Sequence, residues 1–96
     1  MQRDEILRVL KNFKAHNADR YKIVRLGLFG SGARDLFGEK SDIDVVVILR
    51  EPDAMSLVGI KQDLEEVFKR HVDIVRYRDK MNPFLRKRIE KEAVYV

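Results

Sequence analysis

Asp42 and Asp44 stand two residues apart at the mouth of the apolar run Val45-Val46-Val47-Ile48-Leu49, and a third acid, Asp73, opens the run from Val72 to Tyr77. On a β-strand, residues two apart share a face, so the first two carboxylates project together with Cα atoms about 7 Å apart. Asp-x-Asp alone is weak evidence, because Asp commonly closes a turn. Asp73 changes the weighing. If the two runs are parallel neighbours, their starts lie at one end of the sheet and all three acids converge. Three ionised carboxylates at that range repel one another and lose solvent. A core has no use for that cost; a divalent cation relieves it, and oxygen-only ligation suits Mg²⁺ or Mn²⁺ rather than Zn²⁺.

Twelve residues before Asp42, another apolar run ends in Gly30-Ser31-Gly32. If that run is antiparallel to the Asp42 strand, Gly30 and Ser31 lie at the same end as the acids. Glycine lets the backbone approach a ligand closely, and a short helix from Ala33 to Phe37 would aim free N–H groups at an anion. Ser31 adds a hydroxyl. A cation site beside a phosphate cradle reads as a nucleoside triphosphate site. Three familiar motifs are excluded. A Walker A loop needs adjacent Gly-Lys, which Gly38-Glu39-Lys40 interrupts. A dinucleotide fingerprint from Gly30 reads Gly-Ser-Gly-Ala-Arg-Asp and ends on the wrong residue. An EF-hand from Asp42 would place Val46 where an oxygen ligand is needed.

The elements that must position these residues follow from periodicity. Ile6, Leu7, Leu10 and Phe13 mark one face of a helix from Met1 to His16, stopped at Asn17-Ala18-Asp19. Ile23 to Phe29 alternates as a strand, with Val24, Leu26 and Leu28 on one side. The run after Asp42 is continuously apolar to Leu49, as in a strand covered on both faces. Glu51-Pro52-Asp53 breaks it. A helix over Ser56 to Arg70 carries Leu57, Ile60, Leu64, Val67 and Phe68 inward. Val72 to Tyr77 is a third strand. Asn82-Pro83 starts a last helix reaching Lys91, with Phe84, Leu85 and Ile89 inward. Ala93 to Val96 is expected to be a final edge strand or a truncated end. The fold class is α/β: a small mixed sheet of three to four strands with helices packed on it. A helix between the second and third strands favours a parallel crossover there.

The 96 residues fit one domain, 1–96, with one modest core. The net charge of +4 comes from 20 Lys and Arg interleaved with 16 Asp and Glu, a solvated surface rather than a nucleic-acid patch. There is no cysteine, hence no disulfide framework or thiolate metal site. No segment approaches a membrane span, and Met1 to Leu10 lacks the apolar centre of a signal peptide, so the cytoplasm is the expected location. His16 and His71 follow expected helix ends and read as solvated, without a metal-ligand partner at suitable spacing. Arg86-Lys87-Arg88 and Lys91 read as a wet face, Tyr21, Tyr77 and Tyr95 as packing residues, and Met55 and Met81 as gap fillers.

Gly30-Ser31, ten residues, Asp42-Ile43-Asp44 and the later strand acid Asp73 together resemble the polymerase beta-like nucleotidyltransferase superfamily. The stretch from Phe29 to Val47 looks like its minimal members, and the resemblance spans Ile23 to Tyr95. Such proteins are often antitoxins paired with a helical HEPN ribonuclease toxin. The resemblance implies transfer of AMP from ATP to a hydroxyl of that toxin, expected to be a tyrosine. It implies that Gly30 and Ser31 hold the triphosphate and that Arg34 contacts phosphate. It further implies that Asp42 and Asp44 bind two Mg²⁺ ions, with Mn²⁺ as a substitute, and that Asp73 binds the catalytic ion and helps deprotonate the acceptor. The chain lacks the extra domains of larger members, so direct nucleic-acid binding is not expected. Two other readings compete: transfer to a small-molecule hydroxyl, for which a chain this short offers little wall, and an antitoxin that blocks its toxin by contact alone.

Overall fold

A computed structural model describes residues 2–30, 33 and 42–96. The element order is α1 (Arg3–Tyr21), β1 (Ile23–Phe29), β2 (Ile43–Leu49), α2 (Ala54–Phe68), β3 (Val72–Arg76), α3 (Pro83–Glu92) and β4 (Val94–Tyr95). The four strands form one mixed sheet in the order β3-β2-β1-β4. β1 is antiparallel to both β2 and β4, and β2 is parallel to β3. The third strand and the parallel pair are thus as expected, and of the two alternatives for the last residues the edge strand is the one observed.

Strand parity divides the core between the two faces of the sheet. Ile43, Val45 and Val47 of β2 point to the side covered by α1 and α2, where they pack with Ile6, Leu10, Ile60 and Leu64. Val46 points to the other side and packs with Phe29 and with Ile89 of α3. This explains the unbroken apolar run of β2: both faces are covered, and Val45, Val46 and Val47 are fully buried.

Several local expectations are corrected. α1 does not stop at Asn17. The Asn17 side-chain amide donates to the Phe13 carbonyl one turn back, and the helix continues until Lys22 takes a left-handed conformation, φ 59°. α2 begins two residues before Ser56, because Asp53 caps it and accepts hydrogen bonds from the Met55 and Ser56 amides at 3.0 and 3.2 Å. It ends at Phe68, where Lys69 turns left-handed. Val24 faces solvent. The β1–β2 register slips between Ile23 and Arg25, so the extra residue is pushed out and Ile23 joins Leu26 and Leu28 in the core. Val67 and Phe84 are also exposed rather than inward, Phe84 by 83%. Each lies one step, about 100° of helix rotation, from an i, i+4 pair that takes the core position: Leu64 with Phe68, and Leu85 with Ile89. Asn82 caps α3 by accepting from the Phe84 and Leu85 amides, with Pro83 at its first position. Among the described residues no helix is long and apolar enough to cross a membrane.

Candidate active site

The parallel register sets Asp44 directly opposite Asp73, and Ile43 opposite Val72. On the other flank, Asp44 is opposite Phe29, the last residue of β1. The starts of β2 and β3 and the end of β1 therefore meet at one edge of the sheet. Asp44 lies two residues before Val46, and Asp73 two before Val75. Both acids thus sit on the face that α3 covers. Asp42 precedes β2 at the same edge, where the Ile43 amide donates to the His71 carbonyl at 3.1 Å. The side chains of Asp42 and Asp73 are about half exposed, 51% and 48%. The cluster opens to solvent.

The three sequence-expected acids are thus brought to one place, and so is Gly30. Gly30 has φ +72°, the left-handed region that favours glycine. A Cβ added there would collide with the Asp44 carboxylate. Glycine is needed twice over: to turn the chain out of β1 and to leave room for the acid. Ser31, Arg34 and the helix expected from Ala33 to Phe37 lie outside the described residues, apart from Ala33 itself, which is in a turn and buried against the core.

Electrostatics show the strain of the cluster. Burial pushes the Asp44 carboxyl above its ordinary range. The negative charges of Asp73, Asp42 and Glu92 push the same way, and the Arg88 guanidinium opposes them. A divalent cation would reverse the balance by favouring the ionised form. The donor set is carboxylate oxygen, which fits Mg²⁺ or Mn²⁺.

Two residues assigned to the solvated surface by sequence reasoning belong to this site. Arg88, on α3, places its guanidinium carbon 5.6 Å from the Phe29 ring centroid. Its Nη2 lies 3.3 Å from the point a Gly30 Cβ would occupy, and its Nε lies 3.4 Å from Glu92 Oε2. Nothing in the local pattern of α3 separates Arg88 from its basic neighbours; only the packing of α3 on the acidic face does. His71 Nδ1 lies 3.3 Å from Asp42 Oδ2 and 3.6 Å from Asp73 Oδ1. One ligating atom from each of the three lies within 4.8 Å of the others. The expectation that His71 has no metal-ligand partner at suitable spacing is therefore corrected: Asp42 and Asp73 both lie beside it. The signal was present: His71 and Asp73 are two apart at the start of one strand and so share a face. His16, by contrast, is exposed, and its Nδ1 meets the Asn12 carbonyl of its own helix.

The nucleotidyltransferase domain family model matches residues 10–96. A Methanocaldococcus jannaschii protein assigned as a protein adenylyltransferase, MJ1379, is 34% identical over 95 residues, covering 96% of this chain and 95% of its own. The solved structure of a protein assigned as a minimal nucleotidyltransferase superposes with a TM-score of 0.80 at 33% identity, covering 98% of this chain and 95% of its own. The Shewanella oneidensis complex of a tri-AMPylated HEPN toxin with its MNT antitoxin gives a TM-score of 0.66 at 20% identity, over 93% of this chain and 70% of that one, a likeness of fold.

Proposed function

The chain belongs to the nucleotidyltransferase domain family, with the polymerase beta-like fold that its motif suggested, and on that premise we propose that it is the antitoxin of a HEPN ribonuclease toxin and transfers AMP from ATP to a tyrosine hydroxyl of that toxin. Residues 1–96 act as one domain. The observation that carries the reading is the convergence of Asp42, Asp44 and Asp73 beside Gly30, with Asp44 held in an environment that disfavours its charge unless a cation is present. The protein adenylyltransferase assignment of the M. jannaschii relative supports AMP as the transferred group. The AMPylated toxin in the S. oneidensis complex supports the class of partner.

In this reading Asp42, Asp44 and Asp73 hold two Mg²⁺ ions, for which Mn²⁺ can substitute. Bound there, the ions would make the acceptor hydroxyl easier to deprotonate and would neutralise charge on the departing pyrophosphate. Gly30 lets the triphosphate approach the backbone, and Ser31 and Arg34 meet its oxygens. Arg88 stands beside Gly30 and near Asp44, where its planar fork of N–H donors suits a phosphate. The acceptor oxygen attacks the α-phosphorus, the bond to pyrophosphate breaks, and Asp73 accepts the hydroxyl proton. The half-exposed acids suit an acceptor that a second folded protein presents. A tyrosine phenol, pKa about 10, gives up its proton more readily than an aliphatic alcohol. The added AMP brings negative charge that would repel an RNA phosphate from the toxin.

The test uses a HEPN protein encoded with this chain, incubated with it, Mg²⁺ and ATP radiolabelled at either the α- or the γ-phosphate. The α label should enter the HEPN protein and the γ label should leave as pyrophosphate. Transfer of the γ label instead would mean phosphoryl transfer and would overturn the assignment.

A further inference from the structure

We propose that His71 is a positioning residue that gathers the metal-binding carboxylates Asp42 and Asp73 before the cation arrives, and that Lys61 fixes the ring for that task. The proposal deepens the reading above and rests on it.

Asp42 and Asp73 stand on different chain segments, with no covalent reason to stay together and a mutual repulsion that drives them apart. Between them stands one ring nitrogen. His71 Nδ1 is 3.3 Å from Asp42 Oδ2 and 3.6 Å from Asp73 Oδ1. A single N–H at that position faces both carboxylates.

Whether Nδ1 carries that hydrogen is decided at the other side of the ring. Lys61 Nζ lies 3.4 Å from His71 Nε2. In the neutral ring, an ammonium with hydrogens to give and no lone pair to offer favours Nε2 as the acceptor and leaves the hydrogen on Nδ1; a protonated ring carries one there as well. Lys61 is itself held: it donates to the Val72 carbonyl at 2.6 Å and to Glu65 Oε2 at 3.2 Å. Glu65 in turn accepts from the Val72 amide at 3.0 Å. The anchor is thus the backbone of β3 itself, one residue before Asp73. The chain of contacts runs from Lys61 on α2, through His71, to the two acids.

This tautomer argues against direct ligation. A metal-bound Nδ1 would need its lone pair free and would turn an Nε2 hydrogen toward the Lys61 ammonium. Asp42 and Asp73 each keep a second oxygen for a cation. His71 is then the partner that orients a ligand, a role whose removal commonly costs ten- to a hundredfold in metal affinity.

The experiment is Mn²⁺ binding to the full chain by electron paramagnetic resonance, and Mg²⁺ binding by calorimetry, for the native protein and for His71→Ala, His71→Gln, Lys61→Met and the double variant. Far-UV circular dichroism and thermal melting confirm that each is folded. His71→Ala should weaken both ions by a similar factor, about tenfold. His71→Gln, which keeps an N–H donor, should recover part of the loss. Lys61→Met should weaken binding less, and the double variant should match His71→Ala, because Lys61 acts through the ring. Native affinity in folded His71→Ala would overturn the proposal. So would a loss confined to Mn²⁺, since a nitrogen ligand favours Mn²⁺ over Mg²⁺. Fully additive losses would remove Lys61 from the chain of action. Should the native protein bind neither ion, the nucleotidyl-transfer reading itself would fail, which is a separate result.

Discussion

Asp44 and Asp73 are register partners across the parallel β2–β3 pair, so two carboxylates stand side by side on one face of the sheet. Neighbouring like charges destabilise a sheet, and the fold sustains this pair at the edge where β1 gives way to Gly30 and Arg88 reaches over from α3. A divalent cation between the two carboxylates would offset that cost.

The cost is measurable without a cation. Asp44 has its pKa raised in the fold by burial first and by Asp73 next. An acid raised in this way penalises the folded state above its folded pKa, and the penalty disappears below its unfolded pKa, ordinarily about 3.9. In EDTA at pH 7, Asp44→Asn should therefore be more stable than the native chain. The gain is up to about 1 kcal/mol, after allowance for screening of a partly exposed carboxylate. The gap should close as pH falls through the raised pKa. Urea unfolding at stepped pH values reads both numbers. A variant less stable than native at pH 7 would mean that Asp44 is held by favourable contacts instead.

Gly30→Ala should damage fold and site together. The left-handed φ of +72° strains any L-residue, and the new methyl meets the Asp44 carboxylate. A loss of about 1–2 kcal/mol is expected from the backbone alone. Mg²⁺-ATP affinity should fall as well, because Asp44 must move aside. Urea unfolding and calorimetry on the same preparation separate the two effects. Undiminished ATP affinity would show that the carboxylate has room to spare.

Arg88→Ala should separate the two ligands. The guanidinium opposes the acidic charge at Asp44, so its loss leaves a more negative site. Divalent cations alone should bind as well or better, whereas Mg²⁺-ATP should bind several-fold more weakly, each charge-assisted contact to phosphate being worth roughly 1.5–3 kcal/mol. Calorimetric titrations with Mg²⁺ alone and with Mg²⁺-ATP give the comparison. Equal ATP affinity would return Arg88 to the solvated face.

What could be read in the sequence was what periodicity and motif spacing control. The continuous apolar run of β2 announced a strand buried on both faces, and Asp42, Asp44 and Asp73 announced a shared edge. Both hold in the structure. Element ends were less legible, because they turn on single side chains: Asn17 bonding back to Phe13 keeps α1 going, and Asp53 starts α2 early. The bulge that expels Val24 leaves no local pattern, being a compromise between β1 and its partner strand. The site followed the same division. Asp42, Asp44, Asp73 and Gly30 of the motif meet at that edge, and His71 shares a face with Asp73 two residues on, whereas Arg88 joins them only through the packing of α3.

Whether AMP is transferred is decided by the intact mass of the HEPN partner after incubation with ATP, Mg²⁺ and either the native chain or its Asp42→Asn/Asp44→Asn variant. The mass spectra are read beside an assay of RNA cleavage. The native chain should add the mass of one or more AMP groups to a partner tyrosine and silence cleavage. The double variant, which keeps the size of both side chains, should add none and leave cleavage running. Neutralisation without any gain of mass, equally by the native chain and by the variant, would overturn AMP transfer and make this protein an antitoxin that acts by contact alone.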